Sequence, residues 1–96
     1  MKYYIYVNYN KLVQAYERPL VRPEDKDEYL ELCHRDYLAS DDNAKAKIRE
    51  YDINLVGEFN DTTGKITLYD MPLKVADLQM FGAKPEEKKA EAPVNA

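Results

Sequence analysis

The chain has 96 residues, 45% of them hydrophobic, with nine tyrosines, one cysteine, no tryptophan and a formal net charge of -4. A chain of that length makes one domain that buries only about 60 to 65% of its unfolded surface. The single Cys33 excludes an intramolecular disulfide framework, and no apolar run approaches the roughly twenty residues that cross a bilayer.

Residues 2–9 are rich in aromatic and β-branched side chains and predict a strand, with Tyr3, Ile5 and Val7 on one face and Tyr4, Tyr6 and Asn8 on the other. A strand apolar on both faces is central in a sheet, or has a helix over one face and a partner over the other. Asn8, Tyr9 and Asn10 give a turn signal, followed by a short extended segment through Val13, Ala15 and Tyr16 and a loop bounded by Pro19. A helix is expected over residues 23–38. Pro23 suits the first helical position, and Glu24, Asp25, Asp27 and Glu28 suit the positive end of the dipole. Tyr29, Leu30, Cys33 and Tyr37 then recur at helical spacing and make it amphipathic.

Ser40, Asp41, Asp42 and Asn43 are capping residues, so residues 42–50 predict a second, polar helix whose one bulky apolar residue is Ile48. Next comes a β-hairpin in which residues 53–59 pair with 65–69. Ile53, Leu55 and Phe59 alternate onto one face, Ile66 and Leu68 repeat the pattern, and Gly64 supplies the left-handed loop residue. Residues 72–81 read as a last edge strand or a short helix. Residues 83–96, with three Lys, three Glu, two Pro, four Ala and no aromatic residue, predict a disordered charged tail. The expected architecture is a single α+β domain over residues 1–82, a small antiparallel sheet in β-α-β-β order with one packed amphipathic helix.

The segment around the hairpin carries a family resemblance. A Tyr51-Asp52 pair enters the apolar strand, Gly57 follows, then Glu58-Phe59-Asn60-Asp61 and Thr63-Gly64-Lys65-Ile66. Upstream, the tyrosine-rich strand, Lys11, Gln14-Ala15-Tyr16 and Pro19 before a helix come in the same order. The chain thereby resembles the small nonstructural proteins of gokushoviruses, single-stranded DNA bacteriophages of the Microviridae, from Met1 through Leu68. It departs from them in the more charged residues 39–50 and in the unmatched tail. The resemblance implies a non-enzymatic DNA-binding accessory of genome replication or packaging, acting in the host cytoplasm.

The residues themselves leave few places for chemistry. Cys33 and His34 are adjacent, and neighbours on a helix diverge by about 100°, so they form no nucleophile–base dyad. A core cysteine beside a solvent-facing histidine is the expected reading, and no metal or cofactor is implied. The acids at 24–28 and 41–42 lack the spacing of a calcium loop and sit where helix N-termini favour them. Asp61-Thr62-Thr63-Gly64 is turn chemistry, since a phosphate loop runs longer and leads into a helix.

Charge is unevenly spread. Residues 1–22 carry a net of +3 from Lys2, Lys11, Arg18 and Arg22 against Glu17, whereas residues 23–52 carry -5. Aromatic rings that stack on bases, with cations that track phosphates, bind single-stranded nucleic acid. The expected nucleic-acid surface is therefore Lys2, Tyr4, Tyr6, Lys11, Arg18 and Arg22. The alternative is a protein-interaction module, a small homodimer that docks a phage or host protein without binding DNA.

Overall fold

The computed structural model describes residues 1–82; the expected tail disorder lies outside them. Five strands form one antiparallel sheet: β1 (Lys2–Asn10), β2 (Ala15–Tyr16), β3 (Leu20–Arg22), β4 (Tyr51–Asn60) and β5 (Lys65–Asp77). Two helices, α1 (Lys26–Leu38) and α2 (Asp42–Ile48), connect β3 to β4, and a 3-10 turn, Leu78–Gly82, follows β5. The fold is thus α+β with a small antiparallel sheet. β1 and β4 are central, β5 is one edge, and β2 and β3 lie end to end along the outer edge of β1. The segment before the helix therefore adds two short strands to the expected order. The chain reverses at residues 11–14, past the Asn8–Asn10 signal, with Asn10 accepting from the amides of Leu12 and Val13.

α1 begins three residues after Pro23 because Asp25 is the better cap. Its side chain accepts from the Glu28 amide at 2.9 Å and the Glu28 carboxylate accepts from the Asp25 amide at 3.1 Å, a reciprocal capping box. Asp41 caps α2 with a single bond, its side chain accepting from the Ala44 amide. α1 buries Tyr29 and Tyr37 against the sheet, with Leu30 and Cys33 packed at their margin. Tyr6, Ile53, Leu55, Ala76, Leu78 and Phe81 complete the core, and α2 leans Ile48 onto it. Residues 72–81 take both expected forms in turn, since β5 runs to Asp77 and the 3-10 turn then carries Leu78 and Phe81 into the core.

The β4–β5 hairpin turns at residues 61–64, where Gly64 has φ 75° and Asn60 accepts from the amides of Thr62 and Thr63. One expectation about it is corrected. Leu55 pairs with Tyr6, and Gly57 pairs with Ile5, so Val56 is an extra residue in β4. Such a bulge advances the side-chain alternation by one. Ile53 and Leu55 face the helices, while Phe59 pairs with Tyr3 on the opposite face and their rings lie 6.1 Å apart. β5 accommodates the same place with a larger irregularity, spanning the residues between Leu68 and Leu73.

Candidate functional site

β1 decides where the expected binding residues go. Its partners place Tyr4 and Tyr6 on the helix-covered side of the sheet. Tyr6 is 0% exposed, its ring stacks on Tyr29 with centroids 4.2 Å apart, and its hydroxyl donates to the Glu24 carbonyl at 2.8 Å. Burial raises its pKa above the usual tyrosine value. Tyr6 is therefore a core residue and corrects the expectation of a base-stacking ring, because reaching it requires lifting α1 off the sheet.

Tyr4 is half-buried beside the open end of the same side, with Lys2 5.8 Å over its ring. Lys2 pairs with Glu58 at 3.4 Å, and Glu58 also accepts from the Tyr69 hydroxyl at 2.7 Å. That hydrogen bond, with help from Lys2, holds Glu58 below the usual carboxylate range. Desolvation and the same carboxylate push Tyr69 up to about 12.

The other expected cations are also matched by acids. Lys11 contacts both Asp77 and Asp52, and Lys74 reaches Asp52 at 3.5 Å. Burial pulls the Lys11 pKa down, but its bonds to Asp77 and Asp52 outweigh this and raise it, while Lys11 lowers Asp77. Arg22 donates to Glu24 at 2.9 Å and lies 5.9 Å over the Tyr29 ring. Arg18 is exposed and has no carboxylate partner among the described residues. The six expected residues thus split between two sides and an edge of the sheet. The positive charge of residues 1–22 is largely neutralised by acids that arrive from Glu24, β4 and β5.

The opposite face of the sheet is a different surface, with neither helix over it. One cross-strand row runs Val21, Ile5, Gly57, Leu68, and the next runs Tyr3, Phe59, Ile66. Val7 follows, and Tyr9 stands 4.7 Å from Tyr16. Ile5 is buried by this surface alone, since it is outside the helix-side core, whereas Val21, Ile66 and Leu68 remain 52%, 60% and 67% exposed. Beyond the apolar rows the same face carries Lys11, Asp52, Asp77 and Lys74, two charges of each sign. Strand alternation without the bulge missed this surface. The available signal was Gly57, because an isolated glycine inside a strand pattern marks a bulge or close backbone approach.

Cys33 is half-buried against the core, and desolvation raises its pKa, which keeps it a thiol. His34 is exposed, with its ring 4.7 Å from Phe81. No group of three or more metal-ligating side chains occurs among the described residues. A recess of about 200 Å³ lies between α1 and the sheet, with Cys33, Asn8 and Ile53 in its wall, and the Tyr51 hydroxyl donates to Glu17 across its margin at 3.1 Å. No helix among the described residues is long and apolar enough to cross a membrane.

In comparisons with known proteins the chain matches no family model, no curated protein and no solved structure.

Proposed function

We propose that this chain is a non-catalytic protein-interaction module whose working surface is the open face of its sheet. The observation that carries this reading is the pair of apolar rows, Val21–Ile5–Gly57–Leu68 and Tyr3–Phe59–Ile66, over which no helix or strand of the described residues lies. Contiguous exposed apolar surface of this kind, bordered by charged residues, marks interaction sites. Its charge supports a protein occupant over a polyphosphate, since the two lysines on the face are each matched to an aspartate. The resemblance to gokushovirus nonstructural proteins would put the module in an infected bacterial cytoplasm, serving genome replication or packaging through a protein contact.

Single-stranded DNA binding is the second reading, and one observation favours it in a relocated form. The open face presents two aromatic pairs, Tyr3 with Phe59 and Tyr9 with Tyr16, and antiparallel sheets with such open-face rings stack bases. It replaces Tyr4 and Tyr6 by those four rings.

The two readings separate in one titration series. With a fluorescent oligothymidine at physiological salt we expect no retention, and with 8-anilinonaphthalene-1-sulfonate (ANS), at protein dilute enough to be monomeric, we expect binding that Ile66→Lys/Leu68→Lys abolishes. Salt-dependent oligonucleotide binding lost in Tyr3→Ala/Phe59→Ala would replace the docking reading by the DNA reading.

A further inference from the structure

We infer that the occupant of the open sheet face is a second copy of this chain, bound face to face about a two-fold axis. The inference rests on the docking reading and adds the identity of the partner.

Area is the first support. The nine residues of β1 set the length of the face and four strand positions its width, roughly 30 Å by 20 Å, or about 600 Å² in projection. Side-chain relief raises the accessible area above the projection, toward the ~800 Å² per partner of a standard interface. Two sheets pack at about 10 Å with their inner side chains interdigitated, which is the arrangement that a flat antiparallel face offers to another.

Charge is the second support. The chain carries -4, with nine of its 18 acids in residues 24–50, the helices and their connections, so most approaches of one copy to another are repulsive. The open face is the exception. Its charged end holds Lys11 and Lys74 against Asp52 and Asp77, which leaves no net charge, and its other end is apolar. In an isologous contact the same patch appears on both sides, so Val21, Ile66 and Leu68 meet apolar side chains and no uncompensated charge enters. A strongly cationic or anionic partner finds no complementary charge here.

The test is sedimentation equilibrium of the full chain from 1 to 200 μM, together with Ile66→Lys/Leu68→Lys and, as a control away from the face, Leu38→Lys at the end of α1. We expect a dimer for the parent and for Leu38→Lys. The double variant should dissociate at least about 100-fold more readily, with an unchanged far-ultraviolet circular dichroism spectrum, because both side chains are already mostly exposed. A parent that stays monomeric at 200 μM, or a double variant that dimerises like the parent, overturns the inference. A monomeric parent whose ANS binding is lost in the double variant overturns self-association and leaves the docking reading standing with a different protein as partner. A monomeric parent that binds no ANS overturns both, and one that instead binds oligothymidine through Tyr3 and Phe59 overturns both in favour of nucleic acid.

Discussion

The ring of Tyr6 lies on that of Tyr29, centroids 4.2 Å apart and planes 22° from parallel, and this stack joins the central strand to α1. The Tyr6 hydroxyl adds a second tie to the segment just before the helix, through the Glu24 carbonyl. Stacking and hydrogen bond act in the same direction, so the residue first suspected of holding a ligand instead holds the helix layer.

Tyr6→Phe keeps the ring and removes the bond, leaving the Glu24 carbonyl short of a partner, and should cost about 1 to 2 kcal/mol. Tyr6→Ala also opens a cavity and should cost about 3 to 5 kcal/mol, enough to leave a domain this small largely unfolded. Urea denaturation followed by circular dichroism measures both. A Tyr6→Ala protein as stable as the parent would remove Tyr6 from the core.

Gly57 sits where no other residue fits. A Cβ there would lie 2.4 Å from the Thr67 carbonyl oxygen and 3.0 Å from a Leu68 methyl carbon, and the first of these is backbone that cannot step aside. Gly57→Ala should push β4 and β5 apart and lower stability by about 1 to 3 kcal/mol. Gly64→Ala, at φ 75° with open space around it, should cost about 1 kcal/mol through backbone strain alone. Thermal melts of the two variants should rank Gly57→Ala as the more damaging; the reverse order would contradict the close approach.

Alkaline pH should find Tyr69. Its folded value of about 12 lies above the ordinary 10.0, so its contribution to stability is complete below pH 10 and disappears as pH rises through 12. Tyr69→Phe should therefore flatten the loss of stability across that window. It should also remove one late-ionising tyrosine from the 295 nm absorbance titration. An unchanged alkaline slope would mean that the Tyr69–Glu58 hydrogen bond does not form in solution.

Acid should find Asp77. Lys11 holds its carboxyl below the ordinary range, so the stabilisation is complete above the usual carboxylate pKa and is lost as pH falls through the lowered value. Asp77→Asn should melt at a slightly lower temperature at neutral pH and show a shallower acid limb. A limb parallel to the parent's would assign the acid sensitivity to other carboxylates, Glu58 first among them because Tyr69 and Lys2 lower it too.

Local chemistry made several of these elements legible from sequence. Asn60 and Gly64 bracket the hairpin as turn residues do, and the acids at 24–28 announce a helix N-terminus whose boundary then falls on Asp25. What local chemistry does not encode is which side of β1 the helix covers, since Tyr3, Ile5 and Val7 are as suitable for a core as Tyr4 and Tyr6. The decision comes from β4, where Leu55 and Ile53 align with Tyr6 and Asn8. The cations Lys2, Lys11 and Arg22 were legible as a basic group, but three of their four carboxylate partners are far along the chain. Glu58, Asp52 and Asp77 become neighbours of Lys2 and Lys11 only once β4 and β5 are in place.

The bulge at Val56 has a consequence for how the gene tolerates insertion and deletion. With Val56 present, β4 turns Ile53 and Leu55 toward the helices and Phe59 away from them. Removing that one codon would make Tyr6–Leu55 and Ile5–Gly57 successive pairs of a regular ladder and leave Glu58 and Phe59 on their present faces, whereas one codon added beside it would carry Phe59 to the helix side and expel Glu58, with its bonds to Lys2 and Tyr69, onto the apolar rows. A single-codon change in the Asn60–Gly64 loop leaves both faces as they are. The rising strand can therefore lose its bulged residue without turning a side chain over but cannot gain another, while the tip is neutral to both.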